Sequence, residues 1–346
     1  MRYDLLENGY FKKIDLLVII CREMMTSAIV TGCAGFIGSH LVEKLLEKKW
    51  KVIGIDNFHP YYSRKLKEVN LEKAKKNKNF VFEEGSILFQ DDLKKLPSDV
   101  DYVFHFAAIA GVRNSLKHPE EYFKINLEGT KNVLNKFKNV KKFVFASSSS
   151  VYGDVRPDEF PVKENHALNP IAPYGESKKQ AEKLCLRYAK DFDMKIAILR
   201  FYTVYGPRQR PDEAFTKFIR LAQVDKPIPV YGDGTKERDF TFVSDIVNGV
   251  ILAAEKGNGI YNLGTGNPII LNQMISSIEK AIGKKIHRNY LPNPEGDVQK
   301  THADITKAKE KLGFAPQFSL ENGVAQCVSW CFETSNLITN SLDSRK

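Results

Sequence analysis

Thr31-Gly32-Cys33-Ala34-Gly35-Phe36-Ile37-Gly38 follows a short apolar run at residues 28–31. It opens residues 36–49, where Ile37, Leu41, Leu45 and Leu46 recur at helical spacing. A strand, a glycine turn and a helix in that order make a phosphate cradle. Gly32 permits the tight turn, Gly35 lets a pyrophosphate approach the backbone, and Gly38 lets the helix pack close to the sheet. The backbone of Phe36 and Ile37 then offers the helix N-terminus to the phosphates. A glycine trio alone also fits a purely structural turn. Here Asp56 ends a second apolar run, residues 52–55, about 20 residues on, where a ribose-binding acid belongs. Its carboxylate would accept from the adenosine ribose and repel a 2′-phosphate. Asn57, Phe58 and His59 follow with no adjacent lysine or arginine, so NAD is expected rather than NADP.

Outward from the turn, short apolar runs at residues 80–82, 102–106, 143–146 and 196–199 read as strands. Residues 119–137 and 174–192 read as long helices between them. Continuous β-branched and aromatic strands alternating with helices predict an α/β fold, a Rossmann-type doubly wound parallel sheet. After Phe201 proline and glycine become frequent, through residues 207–234; residues 243–255 then read as a helix and 260–263 as one more strand. A smaller, discontinuous C-terminal substrate domain is therefore expected. The expected boundaries are 25–202 plus about 237–264 for the dinucleotide domain, and about 203–236 plus 265–334 for the second. Residues 1–24 read as an extension outside the fold and 335–346 as a frayed tail.

The 346-residue chain is 42% hydrophobic and 27% charged, an ordinary globular composition, and carries a net charge of +10. Its lysines are scattered, and the densest run, residues 65–78, reads as a solvated helical face. No basic stripe interleaved with aromatics appears, which argues against a nucleic-acid partner. The five cysteines (Cys21, Cys33, Cys185, Cys327, Cys331) are few, odd in number and spread out, which points to a reducing cytoplasm and no disulfide framework. Cys327 and Cys331 share a helix face but cannot close a metal site by themselves. Residues 16–20 form the apolar stretch nearest the N-terminus, too short to span a membrane.

Two further motifs carry chemistry. Tyr174 and Lys178 stand four apart on one helix face. An ammonium beside a phenol lowers the phenol's pKa from about 10 toward working pH, making it a usable acid and base. The serine cluster Ser147-Ser148-Ser149-Ser150 follows the strand at 143–146, at the carboxyl edge where open α/β sheets place their sites.

Together the Gly-x-x-Gly-x-x-Gly turn, the Tyr174/Lys178 pair and the serine cluster resemble the extended short-chain dehydrogenase/reductase family, in particular its nucleotide-sugar epimerases. The resemblance runs from Ser27 to about Trp330. It implies a catalytic set of Ser148, Tyr174 and Lys178, with Ser148 four residues before the tyrosine of Val151-Tyr152-Gly153. Similar dehydratases and decarboxylases place acids beside that serine. Ser149 and Ser150 stand here instead, which leaves epimerisation. The resemblance also implies cofactor contacts from Ala107 and Ala108 in the His105–Arg113 stretch, from Asn126 (whose alternative is helix packing), and from Tyr174 and Lys178. Substrate contacts are implied for Arg113, Ser148, Ser149, Ser150, Tyr174, Thr203, Arg210 and Arg238. Two positions depart from the family pattern. Pro294 stands where a second diphosphate arginine is common, and Ser86 where an aspartate near the adenine is usual.

Thr203, with Arg210 seven residues on, is similar to the hexuronate-type enzymes. Their hydroxyl and guanidinium could hold a carboxylate on sugar carbon 6. The implied activity is NAD-dependent 4-epimerisation of a UDP-sugar in a homodimer, by oxidation at carbon 4 and hydride return to the opposite face. UDP-glucuronate is the leading substrate, with UDP-glucose and UDP-N-acetylglucosamine as alternatives. A non-catalytic NAD sensor and a net dehydrogenase are the rivals. The complete Ser148, Tyr174 and Lys178 set argues against the sensor.

Overall fold

In the computed structural model residues 25–294 and 296–335 are described; the expected extension at 1–24 and all but the first residue of the expected tail lie outside them. Seven strands form one sheet: β1 (Ser27–Thr31), β2 (Lys51–Asp56), β3 (Phe80–Glu84), β4 (Tyr102–His105), β5 (Lys142–Ser148), β6 (Ile196–Phe201) and β7 (Gly259–Leu263). Every pairing is parallel, in the order β7-β6-β5-β4-β1-β2-β3. The chain reverses its winding between β1 and β4, which opens the crevice where such sheets bind ligands. Register brings the edge residues into line. Thr31 lies opposite both Ile55 and His105, and Ser148 lies opposite Phe201.

The strands read as unbroken apolar runs because both faces are covered. Ala28 and Val30 enter one apolar cluster and Ile29 the other; Val144 and Ala146 divide in the same way from Phe143 and Phe145. The first cluster does not stop at the sheet. It continues through Phe215, Phe242 and Met274 to Val324. The later elements therefore share the sheet's core. These are the helices Ala214–Gln223, Leu271–Ile282 and Leu320–Glu333, with the parallel pair Ile228–Tyr231 and Arg288–Leu291.

Two helical expectations are refined. Residues 119–137 hold a helix, Pro119–Phe123, a π-turn at Lys124–Glu128 and a second helix, Gly129–Lys136. At the widened turn the Thr130 hydroxyl donates to the Asn126 carbonyl at 2.5 Å. The lysine-rich run forms the helix Arg64–Lys75, but it is not solvated throughout. Lys67 and Asn70 are buried against the glycine turn and its neighbours.

Candidate active site

The carboxyl edges of β1, β2, β4, β5 and β6 open into a single long cleft of about 1760 Å³. At one end lies the glycine turn. Gly32 has φ +71°, and a Cβ there would stand 2.7 Å from the Ala107 nitrogen. A Cβ on Gly38 would run into the Gly32 carbonyl oxygen, so only glycine lets the helix Phe36–Glu47 sit this close. Gly35 lies at that helix's N-terminus in an extended conformation, with no side-chain cap, so the first turn's N–H groups face the cleft.

Asp56 is buried beside the turn. It accepts from the Ala34 nitrogen at 3.1 Å and the Phe58 nitrogen at 2.8 Å, leaving carboxylate lone pairs toward the cleft. Burial raises its carboxyl above the ordinary range, opposed by the Lys67 ammonium. Lys67 lines the cleft, donates to the His59 carbonyl at 2.8 Å and lies 4.6 Å from the Tyr62 ring centroid. The Tyr62 hydroxyl is buried without a hydrogen-bond partner. An uncapped helix start, a glycine-only cradle, a carboxylate with open lone pairs and an orphan hydroxyl all fit a dinucleotide. Phe36, Ile37, Asn57, Ala107 and Ala108 line the same stretch. Asn126 does not line it. Its amide lies behind the wall, bonded to both the nitrogen and the carbonyl of Ile109 and to the Ser177 hydroxyl. His105 also serves the wall. It bridges Thr31 and Thr130, and burial lowers it to about 3, so it stays neutral.

Midway along the cleft Ser148, Tyr174 and Lys178 converge. Side chains alternate along β5, which separates two neighbouring serines. Ser147 points inward, donating at 2.5 Å to Glu182, itself paired with Arg200; Ser148 reaches the cleft. The Ser148 hydroxyl donates to the Ser150 hydroxyl at 3.1 Å and lies close enough to Tyr174 to favour the ionised phenol. The largest influences on the Tyr174 phenol are burial, Ser148 and Arg210 rather than Lys178. The Lys178 ammonium donates instead to the Ala146 carbonyl at 2.8 Å. Burial lowers Lys178 to about 8 and pushes Tyr174 up, with Ser148 and then Arg210 pulling the phenol back. The cation acting on the phenol thus comes from the Arg210 loop, while the lysine is held at Ala146, two residues before Ser148 on β5.

Beyond Tyr174, Thr203, Arg210, Arg113 and Arg238 line the remaining length. Arg238 and Lys236 both bind Asp297, each at 2.6 Å, while Arg113 lies over the Tyr231 ring. Ser86 lines the cleft, its nitrogen donating at 2.9 Å to Asp92, whose other oxygen accepts from Lys95. Sequence reading passed over three groups here: Lys67, Asp212 and Glu213. The first was hidden in a lysine run. The two acids stand beside Arg210 in Arg210-Pro-Asp-Glu213, and that adjacency was the available signal. Among the described residues no helix is long and apolar enough to cross a membrane.

Comparison with known proteins agrees with this geometry. Residues 28–264 match the profile of the NAD dependent epimerase/dehydratase family. A UDP-glucuronate 4-epimerase of Thermodesulfobacterium geofontis is 42% identical over 317 residues, 90% of this chain and 97% of that protein. The crystal structure of a Bacillus cereus UDP-glucuronic acid 4-epimerase with UDP-glucuronic acid and NAD superposes with a TM-score of 0.85. It is 39% identical, over 89% of this chain and 99% of that one. A Thermotoga maritima UDP-glucose 4-epimerase with UDP-glucose gives 0.82 at 36% identity, over 90% and 100%.

Proposed function

The chain belongs to the NAD-dependent epimerase/dehydratase family, and from that premise we propose that it interconverts UDP-glucuronate and UDP-galacturonate, with NAD as its cofactor. One observation carries the choice of sugar: Thr203 and Arg210 face the cleft that Ser148 and Tyr174 share. A hydroxyl and a guanidinium beside the reacting group suit a carboxylate on sugar carbon 6.

Gly32, Gly35, Phe36, Ile37 and Gly38 would hold the cofactor's pyrophosphate, Asp56 and Asn57 its adenosine ribose, and Ala107 and Ala108 the stretch between. Tyr174 and Lys178 would hold the nicotinamide ribose, with Asn126 acting from behind by keeping Ile109 in place. Bound there, NAD supplies reversible hydride acceptance from sugar carbon 4. Tyr174 takes the proton from the carbon 4 hydroxyl and later returns it, helped by Ser148 and the Arg210 charge. Ser149 and Ser150 bind the sugar but carry no acid, so elimination has no proton donor. Arg238 and Arg113 bind the diphosphate from opposite walls.

UDP-glucose is the second reading, favoured by the two carboxylates that already meet the Arg210 charge. Incubation with UDP-glucuronate, UDP-glucose and UDP-N-acetylglucosamine separately, with 4-epimers read by NMR, tests the choice. Turnover confined to a neutral sugar refutes the glucuronate assignment. The same proposal places the enzyme in the cytoplasm as a homodimer. Free thiols at all four described cysteines and the exposed Leu186 on the helix Pro173–Asp191 support it.

A further inference from the structure

Arg210, the group given to the sugar carboxylate above, is already more than neutralised. Its Nε and Nη2 donate to the two oxygens of Asp212 at 3.0 and 3.1 Å. Its Nη2 also lies 2.9 Å from the Glu213 Oε1, and its guanidinium lies over the Tyr61 ring. One positive and two negative charges thus sit within four consecutive residues, in a loop that lines the cleft. A sugar carboxylate docking on Arg210 would add a third negative charge. Carboxylates crowded this closely in a partly buried site cannot all stay ionised.

We propose that Glu213 gates Arg210: an anionic sugar is accepted together with one proton taken up by Glu213, and a neutral sugar is accepted without it. This rests on the carboxylate role given to Arg210 above. The step balances simply. A solvent proton forms an O–H bond on Glu213, and the incoming carboxylate replaces the charge that Glu213 gives up. The protonated carboxyl can then donate to that carboxylate, so no buried oxygen loses its partner.

Geometry singles out Glu213 over Asp212. Asp212 grips the guanidinium with both oxygens and also accepts from the Tyr61 hydroxyl at 3.5 Å; burial pushes its carboxyl up, but the Arg210 charge and these hydrogen bonds together hold it below the ordinary value. Glu213 makes one contact with Arg210 and is the less exposed side chain, 31% against 49%. Burial first, and then the Asp212 charge, push its carboxyl up.

The other titratable groups facing the loop are Tyr61 and Tyr62 from the cofactor side, Tyr122 from the helix Pro119–Phe123 and Tyr174 from its own helix. Lys67 faces it from the helix Arg64–Lys75, and Lys217 lies one turn beyond Glu213. Burial pushes all four phenols further from neutrality, so none competes for the proton. Glu213 also acts on the chemistry. Its charge opposes ionisation of Tyr174 and Arg210 favours it. Proton uptake on uronate binding therefore keeps the field at the phenol nearly constant.

The test is calorimetric titration of NAD-loaded Tyr174→Phe enzyme, which binds without turnover, in two buffers of different ionisation enthalpy near pH 7.5. UDP-glucuronate should take up close to one proton and UDP-glucose none. In the wild-type background KM for UDP-glucuronate should rise with pH, by up to about tenfold per unit. Glu213→Gln should abolish the uptake and flatten that profile, with thermal melting of the holoenzyme checking its fold. Absent uptake, or uptake that persists in Glu213→Gln, overturns the gate. Arg210→Ala separates the two readings. If it keeps UDP-glucuronate turnover, the carboxylate assignment fails; if it loses that turnover while uptake is absent, only the Glu213 gate fails.

Discussion

Along its β1–β2 side the cleft presents the backbone of a glycine turn, and along its Thr203–Glu213 side it presents a guanidinium, Arg210, already paired with Asp212 and Glu213. The first wall places the uncapped turn Gly32 to Gly38 and one carboxylate, Asp56, against the ligand. Nothing there has to let go before a phosphate arrives. The second wall presents Arg210 and Arg238, each already bound to acids of its own chain. A ligand there must exchange for partners in place. The backbone wall is thus preorganised for one kind of group, and the charged wall discriminates by what it costs to displace Asp212, Glu213 or Asp297. One wall suits a cofactor that stays, the other a substrate that comes and goes.

The largest expected effect lies where the walls meet. Tyr174→Phe should lower kcat at least about a thousandfold, the scale of general acid–base catalysis, while bound NAD and the affinity for UDP-sugar stay near wild type. A large loss of either affinity would break the division into walls. Next comes Gly38→Ala, whose methyl meets the Gly32 carbonyl oxygen. It should cost about 2–3 kcal/mol of stability as a backbone clash and release NAD, read by urea denaturation and cofactor fluorescence. Arg210→Ala should act on the other wall alone. A charged hydrogen bond of about 1.5–3 kcal/mol predicts kcat/KM for UDP-glucuronate down roughly tenfold to a hundredfold, with NAD affinity unchanged.

The backbone wall was legible in the sequence because its geometry tolerates one residue type. Gly32 and Gly38 are read from steric necessity, and Asp56 from its place after β2. The pair Tyr174 and Lys178 was legible as to position and not as to effect. Helical spacing puts both on one face, but the Ala146 carbonyl takes the ammonium, and that bond depends on how β5 packs under the helix. Asn126 shows the same limit. Its motif matched, yet the π-turn aims its amide at Ile109 and Ser177, behind the cleft. The charged wall was half legible. Arg210 and Thr203 were found, but their partners' roles follow from a loop whose Asp212 is bridged to Tyr61, 151 residues earlier in the chain.

The smallest effect tests whether Lys178 belongs to the cofactor wall at all. Burial lowers its ammonium to about 8, well under the ordinary lysine value of 10.5. A lysine loses charge as pH rises, so below about 8 it is a cation and above that it is increasingly neutral. If it holds the nicotinamide ribose through its charged donors, NAD affinity of the free chain should weaken as pH rises through about 8, a severalfold change across one unit. In the free chain the same ammonium is held by the Ala146 carbonyl. Lys178→Met should start from lower affinity and show a flat profile over the same range, measured by NAD titration from about pH 7 to about pH 9. A wild-type profile with no alkaline limb would mean that the ammonium serves the fold beneath Ala146 instead, and the cofactor wall would then be backbone and Asp56 alone.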